Sequence, residues 1–333
     1  MIRRRIIPIL LVPLFFVALG AAFIDYQLSR TVGEDIVFDI PAGDNLSAIT
    51  GRLAGLDALP VNQILFKTVA LLTRENGAIL AGQYRITADM TGSDILELFR
   101  SGRVVEYRLT FPEGWSLNEW LANLGEAPHL ASLTAGLSRD QLAAEMGIEG
   151  DPEGWFFPDT YVYRKGDSDL TILRQAYERM QQILDQEWRG RGHVSHLADY
   201  SEALTLASII EKETGHEPDR IKIASVFHNR LVSGMRLQSD PTVIYGLGEG
   251  FDGDLTRKHL RADTPYNTYT RSGLTPGPIC SPGRASIRSA MAGSSHNYLY
   301  FVAMGDGKSY FSTTLEEHNR AVNQYQKRRK SGP

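Results

Sequence analysis

The strongest constraint on this chain is an uncharged apolar run close to its amino terminus. The run covers residues 6–24, follows three arginines at positions 3–5, and is ended by Asp25. Roughly 20 apolar residues in a helix span a bilayer, and arginines beside such a run stay cytoplasmic. We therefore expect residues 1–30 to form a cytoplasmic arginine stub and a single-pass membrane anchor, with the remaining chain outside the cytoplasm. A cleaved signal peptide is the alternative, since positions 18, 20 and 22 hold small residues.

The composition argues against nucleic acid as the main partner and against sites built from cysteine pairs. The 333 residues include 35 Lys and Arg against 39 Asp and Glu, so no excess of positive charge favours nucleic acid as a partner. The one cysteine, Cys280, cannot form an intramolecular disulfide or a CxxC metal site. His193 and His196 are spaced as metal ligands can be, but histidines on a polar surface are more common.

Short strands and helices alternate in the first part of the exported chain. Apolar periodicity predicts strands at 36–40, 82–86 and 104–111. It predicts helices after a cap at Asp44 or Asn45, over 61–72, and after a capping signature at 91–94. This alternation indicates a small α+β module, which we place at 36–105.

The rest of the chain, 106–325, is predicted to be a mixed α/β domain. Its helix signals are a capping box at 116–119, a cap at Asp199 with a stop at Gly215, and a start at Pro218 with a stop at Gly234. The segment 238–283 is punctuated by Pro and Gly, and long loops of this kind usually line a binding site. A hairpin of 298–303 with 309–313 and a helix from about Leu315 are predicted at the end.

Glu211 is the carboxylate that the sequence pattern singles out. It follows residues 203–210, which are apolar nearly all round, as in a buried helix. Desolvation there favours the protonated carboxyl group that a general acid needs. The alternative is an ion pair of Glu211 with Lys212, Lys222 or an arginine. Glu213 faces the opposite side of the helix, so the two glutamates cannot act as a pair.

A glycosidase ordinarily uses two carboxylates roughly 5 to 10 Å apart, so Glu211 would need a partner elsewhere. Asp240 is the nearest candidate in sequence, but an Asp before Pro241 also suits a helix cap. Other catalytic templates, namely G-x-S-x-G, HExxH and the P-loop, do not occur in the sequence.

Several motifs together resemble the YceG-like family, the MltG-type endolytic lytic transglycosylases of bacterial cell walls. They are LASIIEKET at 206–214, ASVFHNRL at 224–231, MRLQSDPTVIYG at 235–246, YNTYTRSGLTPGPI at 266–279, EGWFFPDTY at 153–161, YLYFVA at 298–303 and HN at 318–319. Cys280 departs from the small or polar residue expected there, without affecting a catalytic assignment. The 36–105 module is similar to the LysM-like module of this family.

The resemblance implies cleavage of the β-1,4 bond between N-acetylmuramic acid and N-acetylglucosamine within a glycan strand, leaving a 1,6-anhydromuramoyl end. The glutamate of the family's E-K-E-T motif is Glu211 here, and it would serve as both acid and base because the substrate's C6 hydroxyl is the nucleophile. No metal or organic cofactor is implied. The residues expected to bind sugar are Asn229, Gln238, Ser239, Asp240, Thr242, Tyr266, Asn267, Thr268 and Tyr269.

The resemblance also implies partners and a location. The partners are peptidoglycan glycan strands, the lipid bilayer and a cell-wall synthase such as a penicillin-binding protein; the location is the inner membrane, with the catalytic domain in the periplasm. Two rival functions remain open at this point. One is a peptidoglycan-binding scaffold without catalysis, and the other is a muramidase-type hydrolase in which Asp240 or Asp263 activates water.

Overall fold

The structure, a computed structural model, describes residues 3–56, 58–72, 79–194 and 196–327, and its side-chain detail begins at residue 13. Across these residues the fold is α+β, mostly helical with small two-stranded sheets. The α+β prediction is confirmed at this level. By contact the chain divides into two compact units, Met1–Tyr107 with Val162–Asp167, and Arg108–Tyr161 with Ser168–Pro333.

Helix α1, Arg3–Leu28, covers the apolar run near the amino terminus. No helix within the described ranges has both the length and the apolarity that crossing a membrane requires. The side chains of the arginine stub at 3–5, and of the run as far as residue 12, lie outside the described residues.

In the first unit, one antiparallel strand pair is accompanied by three short helices. Strand β1, Ile36–Ile40, pairs with β2, Gly82–Ile86, in a register that sets Phe38 opposite Tyr84. Both strands have the predicted bounds. The helices are α2 (Leu46–Gly55), α3 (Gln63–Leu72) and α4 (Gly92–Ser101).

Local capping chemistry explains where these helices begin. The Asn45 side chain accepts a hydrogen bond from the Ala48 N–H, so Asn45 rather than Asp44 caps α2. Thr91 and Asp94 form the predicted reciprocal capping box of α4. The apolar faces of these elements close one core around fully buried Phe38, Ile49, Leu53, Phe66, Tyr84 and Ile95.

Strand β3 (Glu106–Thr110) and strand β4 (Thr160–Arg164) form a second two-stranded sheet. The predicted strand at 104–111 is thus present but shorter. The second unit continues with α5 (Leu117–Glu126), α6 (Arg139–Met146), α7 (Asp169–Arg189), α8 (Tyr200–Glu213), α9 (Glu217–Val232), α10 (Asp240–Leu247), α11 (Arg257–Arg261), α12 (Arg284–Ala292), β5 (Tyr300–Ala303), β6 (Ser309–Ser312) and α13 (Leu315–Val322).

Helix α8 is the centre of the second unit. Every residue from Ala203 to Ile210 is buried, and the helix packs against α7, α9, α10 and α12. The Asp199 side chain caps it by accepting from the N–H groups of Ser201 and Glu202. The helix therefore has no solvated face between its first turn and its last turn, where Glu211 lies.

Two expectations for this unit need correction. The segment 238–283 is not one long loop, because α10 and α11 lie within it; Pro241 fits the first turn of α10, where no N–H is needed. The unit is also mainly helical rather than mixed α/β, since long helices such as α7 carry most of its core. The terminal β5–β6 hairpin and the helix from Leu315 are confirmed.

Candidate active site

Glu211 lies in the last turn of α8 with its side chain only 8% exposed. The Gly283 N–H donates to Oε2 of Glu211 at 3.0 Å, and a terminal nitrogen of Arg220 on α9 lies 4.0 Å from Oε1. Neither of the two lysines considered as ion-pair partners binds Glu211. The Lys212 ammonium group donates to the Gly114 carbonyl, and Nζ of Lys222 lies 3.7 Å from Oδ1 of Asp219. The carboxylate is therefore held on one side and faces a buried arginine at longer range.

The loop between β3 and α5 brings a second carboxylate, Glu113, to the same place. The Glu113 carboxylate lies against the Cα of Gly283. A Cβ added at Gly283 would lie 2.6 Å from Oε2 of Glu113 and even closer to its Oε1 and Cδ atoms. Partial burial and the negative charge of Glu211 raise the pKa of Glu113, and Arg220 opposes this shift. Sequence reasoning missed Glu113, and the available signal was its position next to Gly114 directly before the α5 capping box.

Glu213 faces away from Glu211, as predicted, into a separate polar group. The Ser239 hydroxyl donates to Oε1 of Glu213 at 2.5 Å. Burial raises the pKa of Glu213 to about 7, with a further raising contribution from Asp240 and an opposing one from Arg230. Glu213 is thus a buried carboxyl group that is readily protonated near neutral pH.

Asp240 is not the helix cap that the Asp-Pro pair suggested. Ser239 occupies the N-cap position of α10 and Asp240 is its first residue. The Tyr269 hydroxyl donates to Oδ1 of Asp240 at 2.5 Å, and burial with this carboxylate raises the pKa of Tyr269. The structure therefore joins two predicted sugar-binding residues from separate motifs, both accessible to solvent.

Four other predicted sugar-binding residues are buried and bonded within the protein, namely Ser239, Thr242, Asn267 and Thr268. The Asn267 side-chain amide donates to the carbonyls of His259 (3.2 Å), Leu260 (3.2 Å) and Ala262 (2.6 Å). Thr242 and Thr268 share a 2.8 Å hydroxyl contact, and Thr242 donates to the Ser239 carbonyl at 2.7 Å. In this arrangement their polar atoms stabilise the loop around α10 and α11.

The remaining predicted sugar-binding residues differ in exposure. Asn229 donates to the carbonyls of His296 and Tyr298 at 2.7 and 2.8 Å, which ties α9 to the segment before β5. Gln238 is exposed and adopts a left-handed backbone, φ +51, which is costly for a residue other than glycine. Tyr266 is half-buried, with its ring centroid 4.9 Å from that of Tyr245.

A buried network around Glu153 was also missed from the sequence. Glu153 accepts from the Leu117 N–H at 2.9 Å, from the Tyr245 hydroxyl at 3.0 Å and from Arg139 at 3.1 Å. Arg139 also binds Asp151. Burial raises the pKa of Glu153. The network stabilises the position of Tyr245, and through it the half-buried Tyr266 ring.

His196, His228 and Cys280 lie in contact with other protein groups. A ring nitrogen of His196 lies 2.7 Å from one of His228, and burial lowers the pKa of His228 to about 4. Cys280 is fully buried and its thiol lies 3.3 Å from the Ser208 carbonyl. Among the described residues, no group of three or more His, Cys, Asp or Glu side chains could hold a metal ion.

Comparison with known proteins places this geometry in a family. The sequence matches the YceG-like family over residues 38–324, a span that contains Glu113, Glu211 and Gly283. The chain belongs to the YceG-like family. A crystal structure of a YceG-like protein from Listeria monocytogenes is 32% identical, covers 87% of this chain and 99% of its own, and superposes with a TM-score of 0.56.

Two curated relatives of this YceG-like chain are both named endolytic murein transglycosylase. The Bacillus subtilis protein is 32% identical, and the match covers 92% of this chain and 91% of the relative. The Streptococcus pneumoniae protein is 28% identical, and the match covers 86% of this chain but 58% of that longer relative.

Proposed function

We propose that this chain is an endolytic lytic transglycosylase of peptidoglycan. It cleaves the β-1,4 bond between N-acetylmuramic acid and N-acetylglucosamine inside a glycan strand and leaves a 1,6-anhydromuramoyl end. Family membership and the name of the Bacillus relative support the reaction class. The observation that carries the proposal is Glu211, a carboxyl group hidden at the end of a buried helix and held by the Gly283 N–H.

Glu211 has the acid and base role in this proposal. Its protonated carboxyl group gives a proton to the departing O4 as the bond from C1 to O4 breaks. The C6 hydroxyl of the same muramoyl residue then attacks C1, and the Glu211 carboxylate takes the proton released from O6. Such proton transfers typically contribute 10²- to 10⁴-fold to the rate. Because the nucleophile belongs to the substrate, no protein nucleophile is needed.

Sugar binding in this proposal is assigned to the accessible members of the predicted set. Tyr266 and Tyr269 present rings on which a sugar face can pack, and Gln238 and Asp240 present polar atoms to solvent. Asn229, Ser239, Thr242, Asn267 and Thr268 support these groups through hydrogen bonds inside the protein.

We also propose the anchoring and the partners that the sequence suggested. Residues 1–30 hold the protein in the inner membrane, 36–105 form a LysM-like module, and 106–325 form the catalytic domain in the periplasm. The uncharged run at 6–24 behind three arginines supports the anchor. A role in terminating growing glycan strands would bring the protein next to a penicillin-binding protein.

A muramidase-type hydrolase is the second candidate, and one observation favours it. Glu113 is a second carboxylate beside Glu211, as a hydrolase with a general base would need. The carboxylates named earlier for this role are engaged elsewhere, since Asp240 binds the Tyr269 hydroxyl and Asp263 pairs with Arg271.

Mass spectrometry of the products separates these functions. Purified peptidoglycan is incubated with the wild type, with Glu211→Gln, and with Glu126→Gln, which changes an exposed glutamate at the end of α5. We expect fragments lighter by one water than hydrolysis products from the wild type and Glu126→Gln, and none from Glu211→Gln. Hydrated products would instead support the muramidase. No product from a protein that still sediments with peptidoglycan would support the scaffold.

A further inference from the structure

Two glutamates approach Gly283 from different parts of the chain. The Gly283 N–H donates to Oε2 of Glu211 at 3.0 Å, and the carboxylate of Glu113 lies where a Gly283 side chain would otherwise begin. With standard backbone bond lengths, these contacts place the two carboxylates within about 8 Å of each other. This upper limit leaves room for the spacing of roughly 5 to 10 Å that glycosidases use for paired acid groups.

The loop that carries Glu113 is fixed by backbone hydrogen bonds. The Gly114 N–H donates to the Ser281 carbonyl at 2.8 Å, and the Ser281 N–H donates to the Trp115 carbonyl at 2.8 Å. Lys212, next to Glu211 on α8, donates to the Gly114 carbonyl at 3.2 Å. Gly114 has φ +82, a conformation that glycine adopts without strain. The position of Glu113 is therefore set by the same elements that position Glu211.

The two glutamates differ in their access to solvent. The Glu211 side chain is 8% exposed, whereas Glu113 as a whole is an exposed residue with a partly buried carboxyl group. The charged groups around Glu113 are Glu211 on α8, Lys212 on the same helix and Arg220 on α9. Partial burial and the negative charge of Glu211 raise the pKa of Glu113, and Arg220 opposes this shift.

We propose that Glu113 is a second catalytic carboxylate of this site, which accepts the proton of the C6 hydroxyl while Glu211 protonates O4. This inference rests on the proposed function. The C1–O4 bond breaks and O4 takes the proton of Glu211; the O6–C1 bond forms and the O6 proton passes to Glu113. One proton then moves from Glu113 to Glu211, directly or through water, and restores the starting state.

The inference separates two steps that one glutamate would otherwise perform. Departure of O4 needs an acid, whereas closure of the anhydro ring needs a base at O6. Loss of the base should slow ring closure and let water compete at C1. A glutamate that merely stabilised the loop would affect both kinds of product equally.

The test uses the full chain, with the wild type, Glu113→Gln, Glu113→Asp and the control Glu126→Gln, on purified peptidoglycan. We expect Glu113→Gln to form anhydro ends about 10²-fold more slowly, as for loss of a general base, with a larger fraction of hydrated ends. The acidic limb of its pH–rate profile should weaken, because ionisation of Glu113, whose pKa is raised by partial burial and by the charge of Glu211, no longer contributes to it. Glu113→Asp, which keeps the charge, should retain the wild-type fraction of anhydro ends at a reduced rate.

Different results would overturn the inference without touching the proposed function. A folded Glu113→Gln protein with the wild-type anhydro fraction and an unchanged acidic limb would exclude Glu113 as the base, whatever its rate. If Glu113→Gln is folded but yields no product, the Asp variant decides, and an equally inactive Glu113→Asp would count against the proposal. Failure of the proposed function looks different, since the wild type itself would then yield no anhydro ends.

Discussion

Replacement of Glu213 by glutamine should make this protein more stable at alkaline pH. The Glu213 carboxyl group has its pKa raised by burial from 4.5 to about 7, so the folded state holds this proton more tightly than the unfolded chain does. The resulting stabilisation is fully present below pH 4.5 and is lost as the pH rises through 7. A shift of this size corresponds to a loss of roughly 3 kcal/mol in the free energy of unfolding.

Glutamine keeps the acceptor for the Ser239 hydroxyl but carries no charge at any pH. The measurement is urea denaturation of wild type and Glu213→Gln from pH 5 to 8.5, followed by tryptophan fluorescence. We expect the difference in unfolding free energy between the two proteins to change by roughly 3 kcal/mol in favour of the variant as the pH rises. The exposed Glu126→Gln change serves as the control. Parallel pH curves for wild type and Glu213→Gln would refute the reasoning, because the buried carboxyl group would then add nothing to the pH dependence.

Three further substitutions test other parts of the second unit. Asn267→Ala removes the donor for three carbonyls in a buried loop and should lower the unfolding free energy by about 3 kcal/mol, measured by urea denaturation. Gly192→Ala would place a methyl group against the Ala292 backbone carbonyl and should lower the unfolding free energy by about 2 kcal/mol. Gly190→Ala, whose added methyl group would make only ordinary contacts, should lower the unfolding free energy by less. Gly283→Ala would meet the flexible end of Glu113 and should displace that side chain, so product analysis should show the Glu113→Gln pattern while thermal unfolding changes little.

Local signals predicted the first unit well. Strands β1 and β2 were placed residue for residue because alternating apolar side chains mark a half-buried strand, and Thr91 with Asp94 marks the start of α4. These features depend on residues only a few positions apart. The same holds for the Asp199 cap of α8 in the second unit.

The active site was predictable only in part. Glu211 stood out because an apolar stretch of helix precedes it. Its neighbours Glu113, Gly283 and Arg220 come from other elements, and no local sequence pattern indicates that they lie close together in the fold. Asn267 illustrates a second limit. A side-chain amide suits a sugar hydroxyl and a backbone carbonyl equally well, so its residue type does not distinguish a ligand contact from a structural one.

The hydrogen bonds between Gly114, Trp115 and Ser281 bear on the order in which the protein matures. They join the start of the second unit to a segment near its end, with Glu211 between the two in the chain. While the chain is being synthesised from its amino terminus, Glu113 and Glu211 emerge well before Gly283. A partly made chain that stops before residue 281 therefore lacks the Ser281 contacts of the Glu113 loop and the Gly283 N–H that binds Glu211, so the two glutamates cannot yet be held as they are in the finished fold.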